Sequence, residues 1–356
     1  MVEVYRGQTM NINSVRSRAP LRLGFAGGGS DLSPFCDAHG GYVMNATVAL
    51  YAYALLTPRS DGQVLLEAME HGQSFSHAAV EALPMGDAAL LHRGVYNRMV
   101  REFNGGVPLP VTVRTTVDVP SGSGMGGSSA LVVALIEAFR HYLRLPLGEY
   151  DLARLAYSIE REDLGLAGGR QDQYAAAFGG FNFMEFHDRE RVIVNPLRVP
   201  SAMIHELEAS LILYYTGQSR ASAQIIETQQ QNIRAAKEDS ISAMLQLKQE
   251  ALDMKEALLT SSLDGVASTL RRGWEAKKAT SAAISNGEIE RVLQIATSEG
   301  ALAGKVSGAG GGGFLMLLCP PELRQRVLEA LGREKGKLLP CKFTNEGALS
   351  WRALNY

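Results

Sequence analysis

Three tight clusters of glycine restrict what this chain can be. Gly24 and Gly27 to Gly29 form the first, Gly122, Gly124, Gly126 and Gly127 the second, and Gly308 and Gly310 to Gly313 the third. Glycine makes up 37 of 356 residues, above the usual ~7%. The excess has no repeat period, which excludes collagen-like and low-complexity chains. What remains is a folded chain with three loops where backbone passes close to something, often an anion.

The second cluster has the clearest setting. Residues 111–117 (VTVRTTV) alternate and predict a half-buried strand. Residues 128–143 are apolar and predict a buried helix, with Ser128 or Ser129 suited to its N-cap. Between them Pro120, Ser121, Gly122, Ser123, Gly124, Met125, Gly126, Gly127, Ser128 and Ser129 form a loop. Its nine residues from Ser121 to Ser129 hold four glycines and four serines, more than a plain turn requires. Loop amides and a helix N-terminus then converge on one point, where the helix dipole favours a phosphate. Gly122, Gly124 and Gly127 also fit G-x-G-x-x-G, so a Rossmann NAD(P)-dependent oxidoreductase is the alternative from another class. That unit wants a second strand ending in an acid ~20 residues on, whereas Glu149 follows a Leu-Pro-Leu-Gly turn. No Lys-Ser/Thr follows the glycines, so this is no Walker A loop, and HRD and DFG are absent.

Composition narrows the class further. The chain is 46% apolar and 20% charged, which excludes wholesale disorder. Lys+Arg 35 against Asp+Glu 37 gives a net charge of -2, so no nucleic-acid partner is expected. The longest apolar run, Val48 to Leu56, is about half of a membrane span, so no membrane partner is expected either. Glu3 precedes any apolar stretch, which predicts no secretory leader. Cys36, Cys319 and Cys341 offer neither a disulfide framework nor CxxC spacing, pointing to a reducing compartment and a cytoplasmic location.

At ~150 residues per domain the length predicts two domains. Strand patterns at 18–26, 42–57, 62–67, 182–185 and 192–194 mix with helical ones at 90–103, 151–164 and 168–180. After a Pro196–Pro200 linker come a strand at 210–215, helices over 221–259, 263–284 and 288–299, a buried strand at 314–319 and a last helix at 322–332. The pattern is α+β in two lobes, 1–199 and 200–356. Gln and Met on 225–259 predict a packed or subunit-contact face, compatible with a homo-oligomer.

Taken together, the motifs resemble the galactokinase/homoserine/mevalonate/phosphomevalonate (GHMP) kinase superfamily. PSGSGMGGSSA and KVSGAGGGGF match its central and C-terminal motifs, and Ala19-Pro20-Leu21-Arg22 stands where galactokinases have Ala-Pro-Gly-Arg. Gly28 and Gly29 replace the galactokinase Glu-His, which argues against galactose. GFAGGGSDL is most similar to the branch of heptose 7-phosphate kinases and fucokinase-type domains.

The resemblance implies a ribosomal-S5-like N-terminal lobe that binds ATP, a ferredoxin-like C-terminal lobe, and Mg²⁺. It also implies phosphoryl transfer to the anomeric hydroxyl of a heptose 7-phosphate, on the route to nucleotide-activated heptose for surface polysaccharide. A fucokinase-type hexose kinase is the alternative. Glu160 and Ser129 are the implied metal ligands, with Glu162 the rival, and Asp172 the implied base. Arg22 would hold Asp172 ionised or steady the phosphoryl group. Asp31, Gly28, Gly29, Gly310 and Gly311 would meet the acceptor. Arg170 and Arg220 are candidates for the acceptor's own phosphate, or else surface cations.

Overall fold

The computed structural model describes residues 14–188, 191–217, 222–235 and 237–354. Its first half is built on strands β1 (Val15–Ala26), β2 (Gly41–Pro58), β3 (Gln63–Ala68), β4 (Gln73–Ala78), β5 (Val111–Val117), β6 (Phe181–Phe186) and β7 (Val192–Pro196). Its second half holds β8 (Leu211–Tyr215), β9 (Ala303–Val306), β10 (Phe314–Leu318), β11 (Lys337–Pro340) and β12 (Leu349–Arg352). The helices up to residue 200 are α1 (Phe35–His39), α2 (Leu90–Arg98), α3 (Gly127–Leu143), α4 (Glu149–Ser158) and α5 (Gln171–Phe178). Then come α6 (Ser201–Ser210), α7 (Ser222–Arg234), α8 (Glu238–Leu259), α9 (Leu263–Thr280), α10 (Gly287–Ser298) and α11 (Arg324–Leu331).

The larger sheet runs β12-β1-β2-β5-β3-β4, with β6 and β7 added alongside β2. Among the described residues only its β3–β5 pair is parallel. A doubly wound dinucleotide fold needs a mostly parallel sheet, so the oxidoreductase alternative falls. Residues 42–57, read as strand, belong to one long strand, buried on both faces from Val43 to Val48. The helix α3 packs across β1 and β2. Every residue from Ser129 to Phe139 is buried, which is why the segment is apolar on nearly every face, the exception being Glu137, paired with Arg140 and Ser350.

The smaller sheet is antiparallel in the order β11-β8-β10-β9. Counted from β8 this is 4-1-3-2, the ferredoxin-like order that the resemblance implies. Ile289 and Val292 of α10 and Val327 and Leu331 of α11 close its core. The two sheets divide the chain near residue 200, but β12 returns to pair with β1. Met244, Leu247, Ala251 and Met254 of α8 are buried within the chain, so the face read as packed or subunit-contact is packed. The strands β4, β9, β11 and β12 and the helix α6 had no clear pattern in the sequence; the four strands are short, and β4 is mostly exposed.

Candidate active site

A cleft of about 490 Å³ opens between the 120–129 loop, the turn after β1, the start of α5 and the end of α9. The loop enters α3 through Gly126, whose φ of 75° is left-handed, and neither Ser128 nor Ser129 caps the helix. The expected serine cap is therefore replaced by a glycine turn, which leaves neither hydroxyl spent on capping. Pro120, Ser121, Gly122, Ser123, Gly124, Gly126, Gly127, Ser128 and Ser129 line the cleft. Met125 does not: its side chain is fully buried and its carbonyl accepts from the Arg22 backbone N–H at 3.0 Å.

The second and third glycine clusters are steric partners. A Cβ on Gly124, at φ +78°, would lie 2.2 Å from the Ser307 carbonyl oxygen. One on Gly308 would lie 2.5 Å from the Gly124 oxygen, and one on Gly313 2.4 Å from that of Ser123. The Phe314 N–H donates to Ser123 O at 2.9 Å and Ser307 Oγ donates to Gly124 O at 3.2 Å. The third cluster thus clamps the 120–129 loop. Gly310 and Gly311, expected to meet the acceptor, instead pack on Ile284, with Gly311 N–H donating to its carbonyl at 2.7 Å. Gly308 and Ala309 are the ones at the cleft. Gly124→Ala should therefore lose more than the ~1 kcal/mol expected for strain at a positive φ alone. Gly62, at φ +70° with open space around it, supplies the control. Urea unfolding of Gly124→Ala and Gly62→Ala measures both; equal losses would refute the clamp.

Asp31 holds the start of α5. Its Oδ2 accepts from the Arg170 N–H at 2.9 Å and the Gln171 N–H at 3.2 Å, and its Oδ1 from the Gly29 N–H at 3.2 Å. A buried carboxylate there also suits the helix dipole. This fixes Asp172, whose Oδ1 accepts from Arg22 Nε at 2.7 Å. Arg22 Nη1 donates to the Gly124 carbonyl at 2.6 Å, tying Asp172 to the loop. A Cβ on Gly126 would lie 3.2 Å from the Asp172 carboxyl carbon, so glycine permits the close approach.

Ser129 Oγ donates to Glu160 Oε1 at 3.1 Å, and Gln173 Nε2 donates to both Ser129 and Glu160. Glu160 sits on a wide turn, Ile159–Asp163, that ends α4. Burial pushes its carboxyl up from the ordinary range despite nearby Arg161. Glu162 is exposed and bonds to Ser158 outside the cleft. Gly29 and Asp31 line the cleft; Gly28 lies beside Gln171 and Lys277.

Arg170 is not in the cleft. Its buried guanidinium donates to the His187 carbonyl at 3.1 Å and to Asp37 Oδ1 at 3.3 Å, while its backbone N–H is held by Asp31. Arg220 lies outside the described residues. Sequence reasoning missed Lys277, Gln173, Ser307 and His71. Gln173 was legible only as a neighbour of Asp172, and Lys277 carries no local signal at all. Ser121 Oγ and His71 Nε2 are 2.9 Å apart, joining the loop to the β3–β4 connection. There Ala68, Leu90 and Val119 give one chamber of the cleft apolar walls, beside polar Gln73 and His92. Burial pushes His92 down to about 4, leaving it uncharged near neutral pH.

Residues 90–180 match the GHMP kinases N terminal domain and 254–338 the GHMP kinases C terminal domain. The chain belongs to the GHMP kinase family. It is 45% identical over 341 residues to D-glycero-alpha-D-manno-heptose 7-phosphate kinase of Campylobacter jejuni, covering 96% of this chain and 100% of the relative. It is 42% identical, with a TM-score of 0.82, to the crystal structure of a D-glycero-D-manno-heptose 1-phosphate kinase from Bacteriodes thetaiotaomicron, covering 96% and 100% of the two chains. A bifunctional fucokinase/GDP-fucose pyrophosphorylase of Arabidopsis thaliana is 27% identical over 336 residues, covering 87% of this chain and 31% of the relative.

Proposed function

We propose that this chain is an ATP-dependent kinase that phosphorylates the anomeric hydroxyl of D-glycero-D-manno-heptose 7-phosphate to the 1,7-bisphosphate, for nucleotide-activated heptose and surface polysaccharide. The carrying observation is the Arg22 bridge, which sets the Asp172 carboxylate against the Gly124 carbonyl of a helix-entry glycine loop. The loop amides and the N-terminus of α3 would hold the nucleotide phosphates, and the chamber around Leu90 and Val119 its base. Asp172 would take the hydroxyl proton of an acceptor seated by Gly29 and Asp31.

A divalent cation fits beside Ser129 and Glu160. These are hard oxygens, and a buried carboxylate with a penalised charge is relieved by a cation. Mg²⁺ bound there would offset phosphate charge. Ser129→Ala and Glu160→Gln should each raise the Mg²⁺ needed for half-maximal activity. A magnesium titration at fixed ATP checks this; an unchanged curve for Glu160→Gln with a shifted one for Glu162→Gln would reassign the ligand. Three free buried thiols and a need for ATP support a cytoplasmic site of action. Among the described residues no helix is long and apolar enough to cross a membrane.

A fucokinase-type hexose kinase is the second reading, favoured by the 27% relative. The two relatives named for heptose place the phosphate already present at different carbons, 7 and 1. Measuring ATP consumption over heptose 7-phosphate, heptose 1-phosphate, free heptose and fucose decides among them. Turnover confined to a neutral hexose would overturn the proposal.

A further inference from the structure

We propose that Lys277 is a catalytic residue of this cleft, whose ammonium holds the oxygen of the reacting acceptor hydroxyl while Asp172 takes its proton. This rests on the sugar-kinase reading above and adds a residue to it from the far end of the chain.

Lys277 lies in the last turn of α9, and its side chain lines the same cleft as Asp31 and Asp172, whose charges both act on it. Three cations line the cleft among the described residues: Arg22, Arg161 and Lys277. Arg22 is committed to Asp172 and Gly124. Arg161 is committed to the carbonyls of Leu166, Ala167 and Gly169. Lys277 donates once, to the Gly308 carbonyl at 2.5 Å. An ammonium has three N–H donors, so two are left for a ligand at this buried position. A buried ammonium with unused donors is costly unless something binds to it.

The surroundings specify what that ligand is. Gly308 packs against Gly124, so Lys277 is held at the phosphate-loop end of the acceptor space. A Cβ on Gly28 would sit 3.7 Å from the Lys277 Nζ, so the glycine leaves the approach open to a small oxygen. A hydroxyl placed there meets a cationic donor on one side and the Asp172 carboxylate on the other. Its lone pair remains free for phosphorus. As the new oxygen–phosphorus bond forms, the bond from phosphorus to the bridging oxygen of ADP breaks. The hydroxyl proton passes to Asp172, and Lys277 keeps all its protons. Its charge stabilises the oxygen as negative charge builds on it.

The charged groups facing Lys277 are Arg22 from β1, Asp31 from the turn after β1, Asp172 from α5 and Lys305 from β9. Lys305 is pushed well below its ordinary range by burial and spends its donors on Gly24 and Phe25 carbonyls. Burial and Arg22 push Lys277 down to about 8, while Asp31 and Asp172 oppose the shift. The charged form needed here is present below that value and lost as pH rises through it.

The test uses the full chain, ATP with Mg²⁺, and the sugar phosphate or sugar on which the wild type is most active. Lys277→Met should lower kcat by about 10²-fold or more, the scale for removing one preorganised donor. Its affinity for a fluorescent ATP analogue should stay within about threefold of wild type. The wild-type kcat/KM for the acceptor should fall above about pH 8, since that ratio reports free-enzyme ionisations. Lys277→Arg should recover most of the activity and lose that basic limb, because guanidinium does not titrate there. A Lys277→Met enzyme with kcat within threefold of wild type overturns the proposal. So does a basic limb that survives in Lys277→Arg. Loss of nucleotide binding in both variants would make Lys277 a prop for Gly308 and also overturns it. A wild type that phosphorylates no sugar overturns the kinase reading together with this one, whereas an active wild type with an indifferent Lys277→Met overturns this one alone.

Discussion

Asp172→Asn is expected to bind nucleotide as well as the wild type and to lose about 10²–10⁴ in kcat, the usual worth of a positioned proton acceptor. The substitution is nearly isosteric. The amide oxygen can still accept from Arg22 Nε, so the bridge to the Gly124 carbonyl should survive. The start of α5 is held by Asp31 through backbone N–H groups and should not move. What disappears is the negative charge and the site for the hydroxyl proton. Steady-state kinetics with a parallel nucleotide titration measures both. A fall in kcat of less than about tenfold would mean that positioning and phosphate charge neutralisation carry the reaction, and that Asp172 mainly orients Arg22.

The second large effect concerns the acceptor. The proposed substrate carries a phosphate, and kcat/KM for it should exceed that for the free sugar by about 100-fold, corresponding to ~3 kcal/mol for one charged hydrogen-bond set. A site built around that anion would leave a cation desolvated when the anion is missing. Arg170→Ala should leave the preference intact, because its guanidinium serves the His187 carbonyl and Asp37. Arg220→Ala should reduce the preference by weakening only the phosphorylated substrate. If fucose or another neutral sugar is used as well as any sugar phosphate, the heptose 7-phosphate proposal fails and the fucokinase-type reading replaces it.

Local chemistry made much of this protein legible from the residues alone. The half-buried alternation of 111–117, the glycine-serine loop and the largely apolar helix behind it are each dictated by neighbours in sequence, and all three stand where the pattern put them. Ser129 sits inside that loop, whereas Arg22, Asp31, Glu160 and Asp172 were reachable only through the resemblance to GHMP kinases; the structure brings all five to one cleft. Their partners were not reachable in the same way. A carboxylate that looks like a sugar ligand, Asp31, also grips the backbone of Arg170 and Gln171, 139 and 140 residues away.

The rest depended on what lies across a gap. The third glycine cluster reads in sequence as a loop near a ligand. Its glycines at 308 and 313 are required because the backbone at Gly124 and Ser123 comes too close for any Cβ, and that distance exists only after the two sheets meet. Arg170 and Lys277 are both basic residues with no motif of their own. One turns to His187 and Asp37 and the other into the cleft. The sequence by itself determined which short segments form strand, loop and helix, since those choices rest on contacts between near neighbours. Only the tertiary structure decided which charges share the cleft, because a side chain's direction and burial are set by packing between elements far apart in the chain.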